Sequence, residues 1–387
     1  MEAQKRDEIN LSGEEMSRYA RHLSLPEIGI IGQKHLKASS VLCIGSGGLG
    51  SPLLLYLAAA GIGHIGIVDF DFVEDSNLQR QVIHGMNWIG QPKIDSARAR
   101  ILELNPYCQV NTFRTRLSSK NAIDIINKFD VVCDCTDNFP SRYLINDACL
   151  ILNKPNIYGS VSRFEGQATV FNLNKDSPNY RDLLPEPPPP GVLPSCAEGG
   201  VIGVLPGLIG LIQATETIKV LTGIGNTLDG RLLVFDALKM TFRELTLKPS
   251  SNKEKIKKLI NYEKFCGEVE ESDHNIASLS IESISVHELK KLLENDQEDI
   301  ILLDVRNKSE YDIFSIKESK LIPLKTIENG EAIESIRKMT KEKKLYVHCK
   351  SGKRSLKALG ILKRNDIQGI NVAGGIDAWV SNKLSNG

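Results

Sequence analysis

Six residues constrain the fold of this chain more than any other stretch of it. Gly45-Ser46-Gly47-Gly48-Leu49-Gly50 lie between an apolar run, Val41-Leu42-Cys43-Ile44, and a second apolar segment that continues through Leu53 to Ala60. A four-residue apolar run bounded by a turn reads as a buried strand, and the longer segment after it as a buried helix. Glycines at such a junction let phosphates approach the backbone, and the helix N-terminus adds positive potential. The unit therefore predicts a nucleotide site of Rossmann-like form, without choosing the nucleotide.

The flanking sequence extends the pattern. Ile65-Gly66-Ile67-Val68 ends in Asp69, placed where a carboxylate can bond ribose hydroxyls. To this point a nicotinamide cofactor fits equally well. Asp130-Val131-Val132-Cys133 runs into Asp134-Cys135-Thr136-Asp137-Asn138, another strand end. Strands alternating with helices predict an α/β class with a doubly wound, mostly parallel sheet. Asp71, then Ser76-Asn77-Leu78-Gln79-Arg80-Gln81, and then Lys93 supply cations and amides that suit a triphosphate better than a pyrophosphate. The plainer alternative leaves Arg80 and Lys93 as solvated surface charges. Asp137 stands where open α/β sheets bind ligands and could hold magnesium, or it could cap the next helix.

Length divides the chain. At 387 residues it is too long for one ordinary core, against about 150 residues per domain. Residues 201–214 are apolar but broken by Gly203, Pro206, Gly207 and Gly210, and fall short of the ~20 residues of a spanning helix. They read as a buried helix. Pro185-Glu186-Pro187-Pro188-Pro189-Pro190-Gly191 predicts an extended loop. Periodicity fades into a charged run near 268–274, and new apolar strands begin at 300–305 and 344–348. The expected organisation is a first domain over 1–249, a linker over 250–279 and a smaller α/β domain over 280–387. With 48 basic against 48 acidic residues, nothing favours a polyanionic partner, so no nucleic acid is expected. The polar start predicts a cytoplasmic protein with no membrane association. Eight irregularly spaced cysteines agree with reduced thiols.

Taken in order, Arg18-Tyr19-Ala20-Arg21, the glycine loop, Asp69-Phe70-Asp71, the segment 76–81, Gly90-Gln91-Pro92-Lys93 and Asp134-Cys135-Thr136-Asp137-Asn138 resemble the MoeB/ThiF family over about residues 16–249. These are ubiquitin-activating-like sulfur-carrier adenylyltransferases. The resemblance implies ATP contacts at Gly48, Asp69, Asn77, Arg80, Lys93 and Asp137. Gly45, Gly47, Ser76, Leu78, Gln79 and Asn138 complete the candidate nucleotide residues. It also implies that Arg21 reaches the neighbouring subunit's nucleotide, hence a homodimer, and that Cys196, in Pro194-Ser195-Cys196-Ala197-Glu198-Gly199-Gly200, is the thiol that engages the carrier. Many relatives hold a structural zinc through two Cys-x-x-Cys pairs. Here those positions read Asn179-Tyr180-Arg181-Asp182, and then Glu263 and Cys266, a poor zinc set. No zinc is expected.

In the last segment, Leu345-Tyr346-Val347-His348-Cys349-Lys350-Ser351-Gly352-Lys353-Arg354-Ser355 delivers a cysteine from a buried strand into a basic, glycine-containing loop that opens a helix. Backbone amides and the helix terminus would stabilise a thiolate or persulfide there, with Lys350, Lys353 and Arg354 adding positive potential. His348 reads as a strand residue. With Leu302-Leu303-Asp304-Val305-Arg306 and Ala373-Gly374-Gly375-Ile376-Asp377-Ala378-Trp379, the segment from about 280 resembles a rhodanese domain. Four residues between Cys349 and Arg354, against five in phosphatases of related shape, suit a terminal sulfur rather than a phosphate.

The resulting expectation is an enzyme that uses ATP and Mg2+ to adenylate the C-terminal Gly-Gly of a ubiquitin-like sulfur-carrier protein. Cys349, charged by an upstream persulfide donor, then supplies sulfur. Arg21, Arg80, Lys93, Cys196 and Cys349 are the candidate catalytic residues. A nicotinamide oxidoreductase fused to a thiol domain, and a non-catalytic module binding ubiquitin-like partners, are the alternatives.

Overall fold

The computed structural model describes residues 9–188, 200–250, 256–267, 281–294, 299–341, 343–382 and 384. The chain divides into two compact units, Met1–Glu268 and Val269–Gly387.

The first unit is built on eight strands: β1 Ser40–Ile44, β2 His64–Val68, β3 Gln109–Phe113, β4 Val131–Asp134, β5 Asn156–Ser162, β6 Glu165–Phe171, β7 Arg231–Asp236 and β8 Thr241–Thr246. Their order is β3-β2-β1-β4-β5-β6-β7-β8. The first five pair in parallel, and β5 through β8 extend the sheet antiparallel. All four residues of β4, and four of five in β1 and β2, are buried. Covered on both faces, such strands need no polar alternation, which is why they read as continuous apolar runs. The strand order reverses about β1, with β2 on one side and β4 on the other. Open α/β sheets bind ligands at that switch point, beyond the C-terminal ends of the strands.

Two helices hold the switch point in place. Gly50–Ala60 follows β1 directly, with Leu53, Leu54 and Leu57 fully buried. Val204–Thr222 packs across it and against β5 and β6. This helix is apolar and long enough to cross a membrane, but half of it is buried within the fold. Gly210 permits the close crossing, since a Cβ there would come 2.3 Å from the Leu49 carbonyl oxygen.

Residues 256–267, which the sequence assigns to the linker, pack against the first unit. Tyr262 and Cys266 are buried beside Tyr143 and Tyr180. The local composition is polar enough to read as linker, but two aromatics and one thiol suffice to anchor it.

The second unit carries a parallel sheet in the order β11-β10-β12-β13-β9. Its strands are β9 Ser283–Ile284, β10 Ile300–Asp304, β11 Lys320–Leu321, β12 Lys344–His348 and β13 Ile370–Val372. The β12 strand lies between β10 and β13, so its C-terminal end opens in mid-sheet. There the loop carrying Cys349 leads into the Lys353–Arg364 helix.

Candidate functional sites

At the switch point the loop after β1 meets the loops after β2 and β4. Gly45 adopts φ 95°, and a Cβ on it would stand 2.9 Å from the Cys135 carbonyl oxygen, so two loops cross here at backbone distance. Only glycine combines that approach with that φ. A Cβ on Gly50 would lie 2.1 Å from the Gly45 oxygen. Gly47 and Gly48 are partly exposed, and their amides meet no acceptor among the described residues. Free amides ahead of a helix N-terminus are what an anion site requires.

Asp69 is buried at the end of β2. Its Oδ2 accepts from both the amide and the hydroxyl of Ser46 at 2.9 Å, and its Oδ1 accepts from the Asp71 amide at 3.0 Å. The carboxylate thus ties two site loops together in addition to the ribose contact implied for it. Lys93 opens the Lys93–Leu104 helix, buried, with Nζ 3.0 Å from Asp71 Oδ2. The solvated-charge alternative fails for it. Arg80 is half-buried, its guanidinium donating to the Ser76 carbonyl at 3.2 Å, and its Cγ lies within 3.6 Å of where a Gly48 Cβ would stand. Asn77 is buried in a short 3-10 turn over Asp75–Asn77, while Ser76 and Gln79 are exposed and Leu78 half-buried.

Asp137 is exposed just beyond β4 and does not cap the following helix. That role falls to Asn138, whose Oδ1 accepts from the Ser141 amide at 3.0 Å. The Asp137 carboxylate stays open to solvent, as a hard oxygen ligand shared between protein and a nucleotide must be. No group of three or more His, Cys, Asp or Glu side chains able to hold a metal occurs among the described residues. Magnesium at Asp137 would therefore draw its other ligands from phosphate and water. Arg21 is exposed on the short helix Ala20–Leu23, and Cys196 lies outside the described residues. Cys133 and Cys135 are buried, and burial pushes both thiols up, consistent with core residues.

Two further residues belong to this end of the sheet without any sequence signal. Arg142 is buried below Asp134, donating to the Thr136 carbonyl at 3.3 Å. Asp134 binds Thr136 through Oδ1, its Oδ2 meets no hydrogen-bond partner among the described residues, and burial raises its pKa. His84 is buried between the glycine loop and the Lys93–Leu104 helix. Its partners Ser46 and Ser96 are too far along the chain for any local pattern to reveal them.

The positions that hold zinc in relatives are otherwise engaged here. The Asn179 amide and side chain both donate to Asp182 Oδ2, at 2.9 and 2.7 Å, and the Ser250 amide donates to Asp182 Oδ1 at 2.8 Å. Beside them Arg181 makes two bonds to Asp147, at 2.9 and 2.8 Å, and lies against the rings of Tyr143 and Phe265, while the Tyr262 hydroxyl reaches Asp147 at 2.7 Å. One thiol, with Asp182 already engaged by Asn179 and Ser250, does not make a tetrahedral thiolate site. Metal analysis of the purified protein is accordingly expected to find well under one zinc per chain, with no loss of melting temperature on adding a chelator. A stoichiometric, chelator-sensitive zinc would contradict this.

In the second unit, Cys349 follows His348 at the end of β12. Its Sγ accepts from the Gly352 amide at 3.2 Å, and the Ser355 hydroxyl, 3.5 Å from the sulfur, stands closer to Asn371 Oδ1 at 2.7 Å and the Gly352 carbonyl at 2.9 Å. Gly352, at φ 96°, turns the loop back over the sulfur. The Lys350 and Ser351 amides meet no acceptor among the described residues. The Ile376 and Asp377 amides hold the carbonyls of Cys349 and Lys350 at 2.9 and 3.0 Å. A Cβ on Gly375 would sit 2.3 Å from the Cys349 oxygen, and one on Gly374, at φ 78°, would sit 2.5 Å from the Ala378 Cβ, which explains the paired glycines. The expectation for Arg354 needs correction: its guanidinium forms a two-pronged pair with Glu310, at 2.7 Å for each bond. Its charge is largely neutralised, so the loop amides and Lys350 and Lys353 carry the positive potential. His348 is fully buried, and burial lowers its pKa, so it stays neutral at pH 7 as an inner strand residue.

A family model described as the ThiF family matches residues 19–256, and one described as a rhodanese-like domain matches residues 285–382. "Probable adenylyltransferase/sulfurtransferase MoeZ" of Mycobacterium tuberculosis is 47% identical over 375 residues, covering 95% of this chain and 94% of that one. "Adenylyltransferase and sulfurtransferase MOCS3" of Sus scrofa is 41% identical over 396 residues, covering 96% and 87%. Among solved structures, that of E. coli MccB with ATP superposes with a TM-score of 0.52 at 18% identity, over 66% of this chain and 77% of that one. At that identity the likeness concerns the fold alone.

Proposed function

The chain belongs to the ThiF family and ends in a rhodanese-like domain, and from that premise we propose that it adenylates the C-terminal Gly-Gly of a ubiquitin-like sulfur-carrier protein and converts it to a thiocarboxylate. It is an adenylyltransferase and sulfurtransferase, and it uses ATP. The observation that carries this reading is the presence in one chain of two open amide cradles: one at the switch point beside Lys93 and Arg80, the other around Cys349.

In the first step the carrier carboxylate attacks the α-phosphorus of ATP, forming a P–O bond as the bond to pyrophosphate breaks. Lys93, Arg80, the Gly47 and Gly48 amides and Arg21 of a neighbouring subunit would bear the charge that develops on phosphate. Magnesium, held at Asp137, would neutralise further charge on the phosphate oxygens. In the second step the outer sulfur of a Cys349 persulfide, loaded by an upstream donor, attacks the acyl carbon and AMP leaves. The acyl-disulfide is opened by Cys196, whose thiolate attacks the Cys349 sulfur. That releases the thiocarboxylate and leaves a disulfide between the two cysteines for a cellular thiol to reduce. A cytoplasmic homodimer is the form in which we place these steps.

The nicotinamide alternative makes a different prediction. A ligand that binds only the native state raises the melting temperature by mass action, about 2.7 kcal/mol at a hundredfold excess over Kd. ATP with magnesium is expected to raise it by several degrees and NAD to leave it unchanged. Protection by NAD alone would refute the adenylation reading.

A further inference from the structure

The glycine loop is held from below by a residue that no part of this reaction scheme has used. His84 is buried, with Nε2 3.1 Å from the Ser46 carbonyl oxygen and Nδ1 3.0 Å from the Ser96 hydroxyl. A carbonyl can only accept, so Nε2 carries the proton and Nδ1 accepts from the Ser96 hydroxyl. One tautomer is therefore fixed by two partners on different elements. Burial and the nearby Lys93 cation push the His84 pKa down to about 4, against the pull of the Ser46 carbonyl and Asp69, so the ring is neutral at pH 7.

The consequence for the loop follows from peptide planarity. In a trans peptide the C=O and the following N–H point in opposite directions. With the Ser46 carbonyl drawn toward His84, the Gly47 amide must point away from it, and it meets no acceptor among the described residues. The Ser46 amide and hydroxyl are meanwhile drawn to Asp69, so the peptides on both sides of Ser46 are fixed by side chains. A glycine loop left to itself would sample many peptide orientations, since glycine loses the most backbone entropy on being ordered.

We propose that His84 is a positioning residue of the adenylating site: by holding the Ser46 carbonyl it aims the Gly47 amide at the nucleotide phosphates. The proposal rests on the glycine loop being the phosphate cradle. It places the cost of loop order in the folded protein, before the nucleotide arrives, which is how preorganised donors act.

The test compares His84→Leu, His84→Gln and Ser96→Ala in the full-length protein. Gln can offer an amide N–H near the position of Nε2, and Leu cannot. The expected result is a rise of about tenfold in the KM for ATP in pyrophosphate exchange for His84→Leu, the worth of one buried hydrogen bond. His84→Gln should recover to within about threefold of the parent, and Ser96→Ala should fall between the two. The kcat of pyrophosphate exchange at saturating ATP should stay within about twofold of the parent in all three, which a folding defect of the first unit would not produce. If His84→Leu does not fold, the proposal stands or falls on a raised KM with parental kcat in Ser96→Ala. Direct ATP titration of the parent separates the two layers. A parent that binds no ATP overturns the cradle itself. A parent that binds ATP, with Leu and Gln variants equal to each other or to it, overturns the role of His84.

Discussion

Alanine at Arg80 or at Lys93 is expected to abolish carrier-dependent exchange of pyrophosphate into ATP, lowering it by at least about 10²-fold, the scale for losing one preorganised donor to developing charge. The two cations reach this result by different routes. Lys93 is buried at the start of its helix with Asp71 as counter-ion. Phosphate can therefore recruit a desolvated ammonium that is already in place. Arg80 is half-buried and donates to the Ser76 carbonyl, and a planar guanidinium suits paired phosphate oxygens. Lys93→Ala also strands the Asp71 carboxylate beside the phosphates, so it should be the more damaging of the two. Exchange rates unchanged in both variants would place the nucleotide elsewhere.

The legible part of this protein is the part specified by neighbours in sequence. The turn at 45–50, the apolar runs of β1, β2 and β4, and the loop after β12 each depend on local φ preference and burial on both sides, and they lie where the sequence predicts. Contacts between distant segments are a different matter. Arg354 reads as a free cation of the Cys349 loop until Glu310, 44 residues upstream, is seen to neutralise it. Asp137 and Asn138 compete for one cap, and the chain gives it to Asn138, since only its side chain sits at the N-cap with extended backbone. Residues 256–267 look like linker because their anchors, Asp147 and Tyr143, are more than a hundred positions away. His84 shows the same limit, being specified by two serines from two other elements.

Cys349→Ala is expected to eliminate thiosulfate sulfurtransfer and thiocarboxylate formation together, with pyrophosphate exchange at the parental rate. The Gly352 amide bonds the Cys349 sulfur, and in the same loop the Lys350 and Ser351 amides meet no acceptor among the described residues. The thiolate is the form of a cysteine that attacks and carries sulfur. No other cysteine among the described residues has that setting, since Cys43, Cys108, Cys133, Cys135, Cys149 and Cys266 all lie in the first unit, and Cys349, buried like them, is the one that opens a strand-to-helix loop of the second. Adenylation should survive because its residues fold in a separate unit with its own core. Cys196→Ala is expected to spare both exchange and thiosulfate sulfurtransfer while slowing thiocarboxylate release, the step assigned to handover. Mass spectrometry of the carrier C-terminus, after incubation with ATP and a persulfide donor, separates the three proteins. If Cys349→Ala still yields thiocarboxylate at the parental rate, the second unit serves for docking alone, and the sulfur reaches the adenylate by another route.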